Sequence, residues 1–178
     1  MAVLTGAAIF LAAALAGVRP PEFGLHRWSR WSATEKFYFL QILAISLAIF
    51  CAANWGDLRA LWAHRDWWGI AATLFVAQMV WGFYQELLYR GFLQAELVRR
   101  WGAPAGLLAS NVVFTFGPLH FYHFVEARAN PSHLWIFAAI FAIGLYFALA
   151  FHRSGNLWIV GILHGLGDFF IDGLVRIR

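Results

Sequence analysis

The sequence predicts an all-α fold, a polytopic membrane helix bundle with about six transmembrane helices, on three observations. First, 62% of the 178 residues are apolar and only 12% are charged, against roughly 45–50% and 25% in a soluble domain. Second, stretches free of Asp, Glu, Lys and Arg recur over residues 2–18, 37–56, 67–85, 101–119, 131–151 and 155–167. All but the last approach the roughly 20 residues with which a helix crosses a hydrocarbon core about 30 Å thick. The last reaches that length only by running on through Asp168 to about Leu174. Third, no stretch alternates apolar and polar residues as barrel strands do, and lipid admits only helices or closed barrels. A soluble enzyme and a disordered chain are excluded. So is a nucleic-acid binder, because the net charge of +4 is scattered through short gaps rather than striped along one face.

The stretch 2–18 lacks the Lys or Arg that leads into a signal peptide, so it reads as a retained helix, ended by Arg19-Pro20-Pro21. Cys51 lies inside the next stretch and is the single cysteine. It excludes an internal disulfide and a Cys-based zinc site and reads as a packing residue. The third stretch is expected to continue as one helix from about Trp67 to about Arg100, roughly 50 Å long, because 85–100 holds no Pro and only Gly91 as a weak breaker. The fourth then climbs back. Tryptophan supports these boundaries, with only Trp81 lying well inside a stretch, and amphipathic rings settle at the headgroups. Residues 1–66 are expected to form two N-terminal membrane helices with connectors, and 67–178 a catalytic four-helix core. Lys and Arg number eight in the gaps after the first, third and fifth stretches and five on the other side, which puts both termini outside the cytoplasm.

Ionisable groups at membrane depth cost several kcal/mol unless paired. Those left after the polar gaps are discarded are Glu86, Arg90, His120, His164 and Asp168, with His123 and Asp172 at the margins. Glu86 and Arg90 stand at i, i+4, acid first, which a purely structural ion pair also explains. His120 taken alone is a headgroup-level histidine. His164 and Asp168 again stand one turn apart, and the carboxylate is expected to face the imidazole as an ion pair. Helical rise places Glu86 roughly 21 Å and His120 roughly 28 Å from the turn after Arg100. It places His164 and Asp168 roughly 12 and 18 Å into the last helix. Tilt absorbs the differences, so two carboxylates and two imidazoles are expected to meet at mid-depth. That set can activate a water and protonate a leaving group.

These residues carry a resemblance. Gln85-Glu86-Leu87-Leu88-Tyr89-Arg90-Gly91 is similar to the Glu-Glu-x-x-x-Arg-Gly motif of the CPBP family. These CAAX-protease and bacteriocin-processing membrane proteins, also called ABI proteins, are related to the type II CAAX prenyl endopeptidases. Phe116-Gly117-Pro118-Leu119-His120 resembles the family's Phe-x-x-x-His motif, and His164-Gly165-Leu166-Gly167-Asp168 its His-x-x-x-Asn motif. The resemblance covers roughly 67–174 and implies a glutamate-dependent intramembrane endopeptidase. In the family the first Glu and the Phe-x-x-x-His histidine activate water, while the last His and Asn stabilise the oxyanion. This chain departs twice: Gln85 replaces the first Glu and Asp168 replaces the Asn. The number of carboxylates stays the same. Glu86 with His120 is therefore expected to activate water, Asp168 to orient His164, and protonated His164 to face the oxyanion. Arg90 would hold Glu86 ionised, and the Gln85 amide would donate to the substrate carbonyl.

Three other readings stay open on the residues. Gln85 favours a catalytically inactive membrane scaffold of the same fold. Glu86, His120 and His164 make a legitimate zinc set with an open position, although the His-Glu-x-x-His pattern is absent; the main reading needs no cofactor. A transporter fits charged residues at mid-depth, but no internal repeat is visible. The expected partners are the lipid bilayer and a membrane-embedded or lipid-anchored peptide substrate, with no nucleic acid. The expected location is a multi-pass position in a bacterial cytoplasmic membrane.

Overall fold

Ser32 and Glu35 begin the first long helix with a capping box: Ser32 Oγ accepts from the Glu35 N–H, and Glu35 Oε2 accepts from the Ser32 N–H. Two of the orphan donors at the helix start are thereby satisfied. The computed structural model describes residues 23–177, without the side chains of 176 and 177. The stretch 2–18 and the Arg19-Pro20-Pro21 break lie outside those residues. In chain order the helices are α1 (Ala33–Ala53), α2 (Trp55–Trp62) and α3 (Trp67–Glu86), then a π-helix, π1 (Leu87–Gln94). They continue as α4 (Ala95–Phe116), α5 (Phe121–Ala129), α6 (Trp135–Ser154), α7 (Leu157–Asp168) and a second π-helix, π2 (Phe169–Gly173). Among the described residues there is no strand. The fold is all-α.

The chain divides into two compact units, one of Met1–Glu86 with Asn156–Arg178, the other of Leu87–Gly155. In the first, α3 packs along α7, and the contact is made by glycine. A Cβ on Gly82 would lie 2.5 Å from the Gly165 nitrogen, and one on Gly165 would lie 2.8 Å from the Met79 Cα. Backbone meets backbone there, as small residues permit between membrane helices. Leu58, Leu61, Leu166, Phe169, Phe170 and Leu174 form a buried cluster beside this crossing, with Phe50 and Cys51 packed against it. Phe50 stacks on Phe170 at 5.4 Å, and Cys51 is a packing residue. Of the 21 residues in α1 only Phe39 is buried, although the helix is apolar all round. In water that would be a very large exposed apolar surface; in lipid it is the ordinary condition of a spanning helix.

In the second unit, α4 is two helices. Gly102 has φ 76° and ψ 167°, a region only glycine enters without strain. The segment 95–101 therefore ends there and 103–116 returns. Gly106 lets the return begin tightly, since a Cβ on it would lie 2.5 Å from the Val98 nitrogen. Gly102→Ala is expected to cost about 1–3 kcal/mol, read as a lowered thermal midpoint. No atom within 4 Å would meet the new methyl group, so the loss reports backbone strain alone.

Among the described residues two helical segments, Ala33–Ala53 and Pro131–Ser154, are long and apolar enough to cross a membrane. α7 has only 12 residues, and α4 carries charges and bends at Gly102. The structure corrects two expectations. First, the helical run from Trp67 does reach Trp101, but Leu87–Gln94 is π-helical. The wider i→i+5 turns rise less per residue, so the depth arithmetic over that span does not hold. Second, the fourth stretch does not stay helical to His120. α4 ends at Phe116, Pro118–His120 is a 3₁₀ turn, and the gap beyond holds α5.

Candidate active site

Each unit places part of the expected residue set. In the first, the Gly82–Gly165 crossing brings the last turn of α3 against α7. Glu86 lies one turn beyond Gly82, and His164 immediately precedes Gly165. Glu86 Oε1 consequently lies 2.6 Å from His164 Nδ1. When the carboxylate is ionised it only accepts hydrogen bonds, and the donor is then Nδ1–H. Glu86 is fully buried and His164 is 9% exposed. On the other side of the imidazole, Asp168 Oδ2 lies 3.6 Å from Nε2, within ion-pair range but beyond a hydrogen bond. The expected facing of Asp168 and His164 across one turn is therefore present. Asp168 Oδ2 is buried and accepts no hydrogen bond. Gln85, 3% exposed, is buried beside Glu86, and its Oε1 is likewise unpartnered.

The Glu86–His164 bond was not legible from helical spacing, because i, i+4 reasoning pairs residues on one helix only. The signal available was a glycine one turn before Glu86 and another directly after His164. Such a pair marks a close crossing when the two helices are neighbours.

In the second unit the organising residue is Gly144 of α6. Arg90, fully buried in π1, donates from Nη2 to the Gly144 carbonyl at 2.9 Å. Its guanidinium carbon lies 4.6 Å from the centre of the Phe114 ring, and a Cβ on Gly144 would lie 2.8 Å from that ring. His120 folds back from the 3₁₀ turn to the same level. Its Nδ1 is 2.7 Å from the Phe114 carbonyl, and its ring meets the Phe114 edge at 4.8 Å between centroids. The Phe114 carbonyl can only accept, so Nδ1–H donates and Nε2 of the neutral ring is the basic nitrogen. His120 thus lies at the level of the middle of α6, with Arg90. His123 pairs with Glu126 at 3.1 Å, and Asp172 is exposed.

Two more side chains fasten π1 and α4 to α6. Gln94 donates to the Ala148 carbonyl and Asn111 to the Phe141 carbonyl, both at 2.9 Å. Neither stands out in the sequence. Among the described residues no group of three or more His, Cys, Asp or Glu side chains is arranged to hold a metal ion.

The groups assembled are a buried carboxylate joined to an imidazole, with a second carboxylate opposite, and a separate buried imidazole beside an arginine. In comparison with known families, residues 66–170 are similar to the family described as type II CAAX prenyl endopeptidase Rce1-like. No curated protein and no solved structure matches the chain.

Proposed function

The chain belongs to the type II CAAX prenyl endopeptidase Rce1-like family, a family of membrane proteases, and on that premise we propose that it is a glutamic-type intramembrane endopeptidase. Its substrate is a membrane-embedded or lipid-anchored peptide, cut near a C-terminal tail. The chain is multi-pass with about six transmembrane helices, in a bacterial cytoplasmic membrane. The single observation that carries the reading is Glu86: a fully buried carboxylate bonded to His164 at 2.6 Å, inside the matched region. A carboxylate at membrane depth is kept there only for function or by pairing, and here its partner is itself a catalytic residue type.

In the proposed reaction Glu86, assisted by His120, takes a proton from water, and the hydroxide attacks the scissile carbonyl. Protonated His164 donates to the oxyanion, oriented by Asp168. The Gln85 amide supplies a further donor, and Arg90 supports the ionised form of Glu86. Collapse of the tetrahedral intermediate returns a proton to the leaving amine. Donors fixed in a water-poor site stabilise the oxyanion without reorganising. The shares given to His120 and Arg90 rest on their motifs.

Gln85 favours a second reading, an inactive scaffold of the same family, since an amide is no base. Purified protein in liposomes is expected to cleave a prenylated C-terminal peptide, and to keep that turnover after chelator washing. No cleavage by the native chain, with turnover appearing only in Gln85→Glu, would establish the scaffold instead. Turnover abolished by chelation and restored by zinc would move the reaction to a metal hydrolase.

A further inference from the structure

The second unit carries a charge asymmetry that the proposed reaction does not use. π1 and α6 run parallel and in register, because Arg90 bonds the Gly144 carbonyl and Gln94, one turn on, bonds Ala148. Counting on from Gln94 and Ala148 at helical rise brings Arg99, Arg100 and Arg153 to one level, about 8 Å further along. The Arg99 and Arg100 side chains are 69% and 62% exposed, and Arg153 is exposed. Glu96 accepts hydrogen bonds from both neighbouring arginines, which hold its carboxyl at about 2. It stays ionised and cancels one arginine, leaving this end positive. The segment leading into the other end of α6 carries exposed Glu126 and Arg128, which balance.

Tryptophan marks the same two ends. Trp135, 66% exposed, opens α6, and Trp101, 59% exposed, lies by the same register at the level where α6 closes. The 20 residues of α6 separate the two levels by about 30 Å, which is the thickness of the hydrocarbon core. Indole rings prefer the two interfaces, and arginine prefers the cytoplasmic one.

We infer that the end of the second unit formed by Arg99, Arg100, Trp101 and Arg153 is its cytoplasmic face and rests on the headgroups of acidic phospholipids. The level shared by three arginines from two helices agrees with the count of Lys and Arg in the gaps, which puts the same segments on the cytoplasmic side. The surface is independent of the proposed hydrolysis, so loss of either reading leaves the other standing.

Accessibility tests the orientation. In a Cys51→Ala background, Ala105→Cys reports the arginine end and Ser132→Cys the opposite one; both positions are exposed. A membrane-impermeant maleimide should label Ser132→Cys in intact bacterial cells and Ala105→Cys only after permeabilisation, each normalised to labelling in detergent. Ser132→Cys unlabelled in intact cells, or Ala105→Cys labelled there, overturns the inference. Native mass spectrometry of purified protein tests the lipid. Phosphatidylglycerol should be retained over phosphatidylcholine, and the preference should fall about fivefold for each of Arg99→Gln, Arg100→Gln and Arg153→Gln. Equal retention of the two lipids, or a preference untouched by these changes, overturns the headgroup contact.

Discussion

Glu86→Gln is expected to lower turnover by about 10²–10⁴-fold, the share a positioned acid or base contributes, while leaving the protein helical. The amide has nearly the shape of the carboxylate, and its oxygen still accepts from His164 Nδ1, which lies 2.6 Å from Glu86 Oε1 in the native chain. What it loses is the capacity to take a proton. Folding and catalysis are therefore separable in this variant, whereas Glu86→Ala would also leave a cavity in a fully buried position. Single-turnover cleavage in liposomes, with circular dichroism on the same preparation, reads both quantities. Undiminished cleavage by Glu86→Gln would remove Glu86 from the reaction and return its carboxylate to a packing role.

The second large effect is expected at the crossing of α3 and α7. Gly82→Ala would put a methyl group 2.5 Å from the Gly165 nitrogen, and Gly165→Ala one 2.8 Å from the Met79 Cα. Both obstacles include backbone, so no rotamer change relieves them and the helices must separate. Overpacking of this kind costs typically about 1–3 kcal/mol. Displacement by about 1 Å near the chemistry costs about 10²-fold in rate, because Glu86 and His164 flank the crossing. Gly167→Ala is the control on the same helix: its methyl group would meet only the Phe50 ring, at 3.8 Å. Alanine is a better helix former than glycine by about 1 kcal/mol, so this variant should be no less stable than the native chain. Thermal midpoints and cleavage rates of the three variants decide the matter. Gly82→Ala behaving like Gly167→Ala would mean that the two helices have slack at their crossing.

The helical class was legible because composition and the spacing of charges report it without any knowledge of packing. The candidate residues were legible for a related reason, since ionisable groups in apolar stretches are few. The π-helix at Leu87–Gln94 was hidden because no Pro or Gly cluster announces it; Gly91 is a single weak breaker. The bend was hidden as well, because the chain from Glu96 to Pro104 offers charges, Gly102 and Pro104 together, and each of these is a signal that can end a helix. Of the 16 glycines, nothing local distinguishes Gly82, Gly144 and Gly165, whose importance lies in the neighbour each one faces. Counting along the helix put His120 roughly 28 Å from the turn after Arg100 but could not show the 3₁₀ turn that folds its ring back to Phe114. Pairings within a turn are written in the sequence. Pairings across helices are written in the packing.

The three bonds that side chains make to α6 have a mechanical consequence. Their acceptors, the carbonyls of Phe141, Gly144 and Ala148, follow an i, i+3, i+7 spacing and so lie along one face of the helix. Sliding α6 along its axis by the roughly 1.5 Å rise of one residue would carry all three carbonyls past their donors at once, so the three bonds stretch together. α6 is seated like a keyed shaft: it can travel only together with π1 and the returning leg of α4, as one rigid body. Any loosening that admits a substrate to this unit must therefore leave the keyway intact.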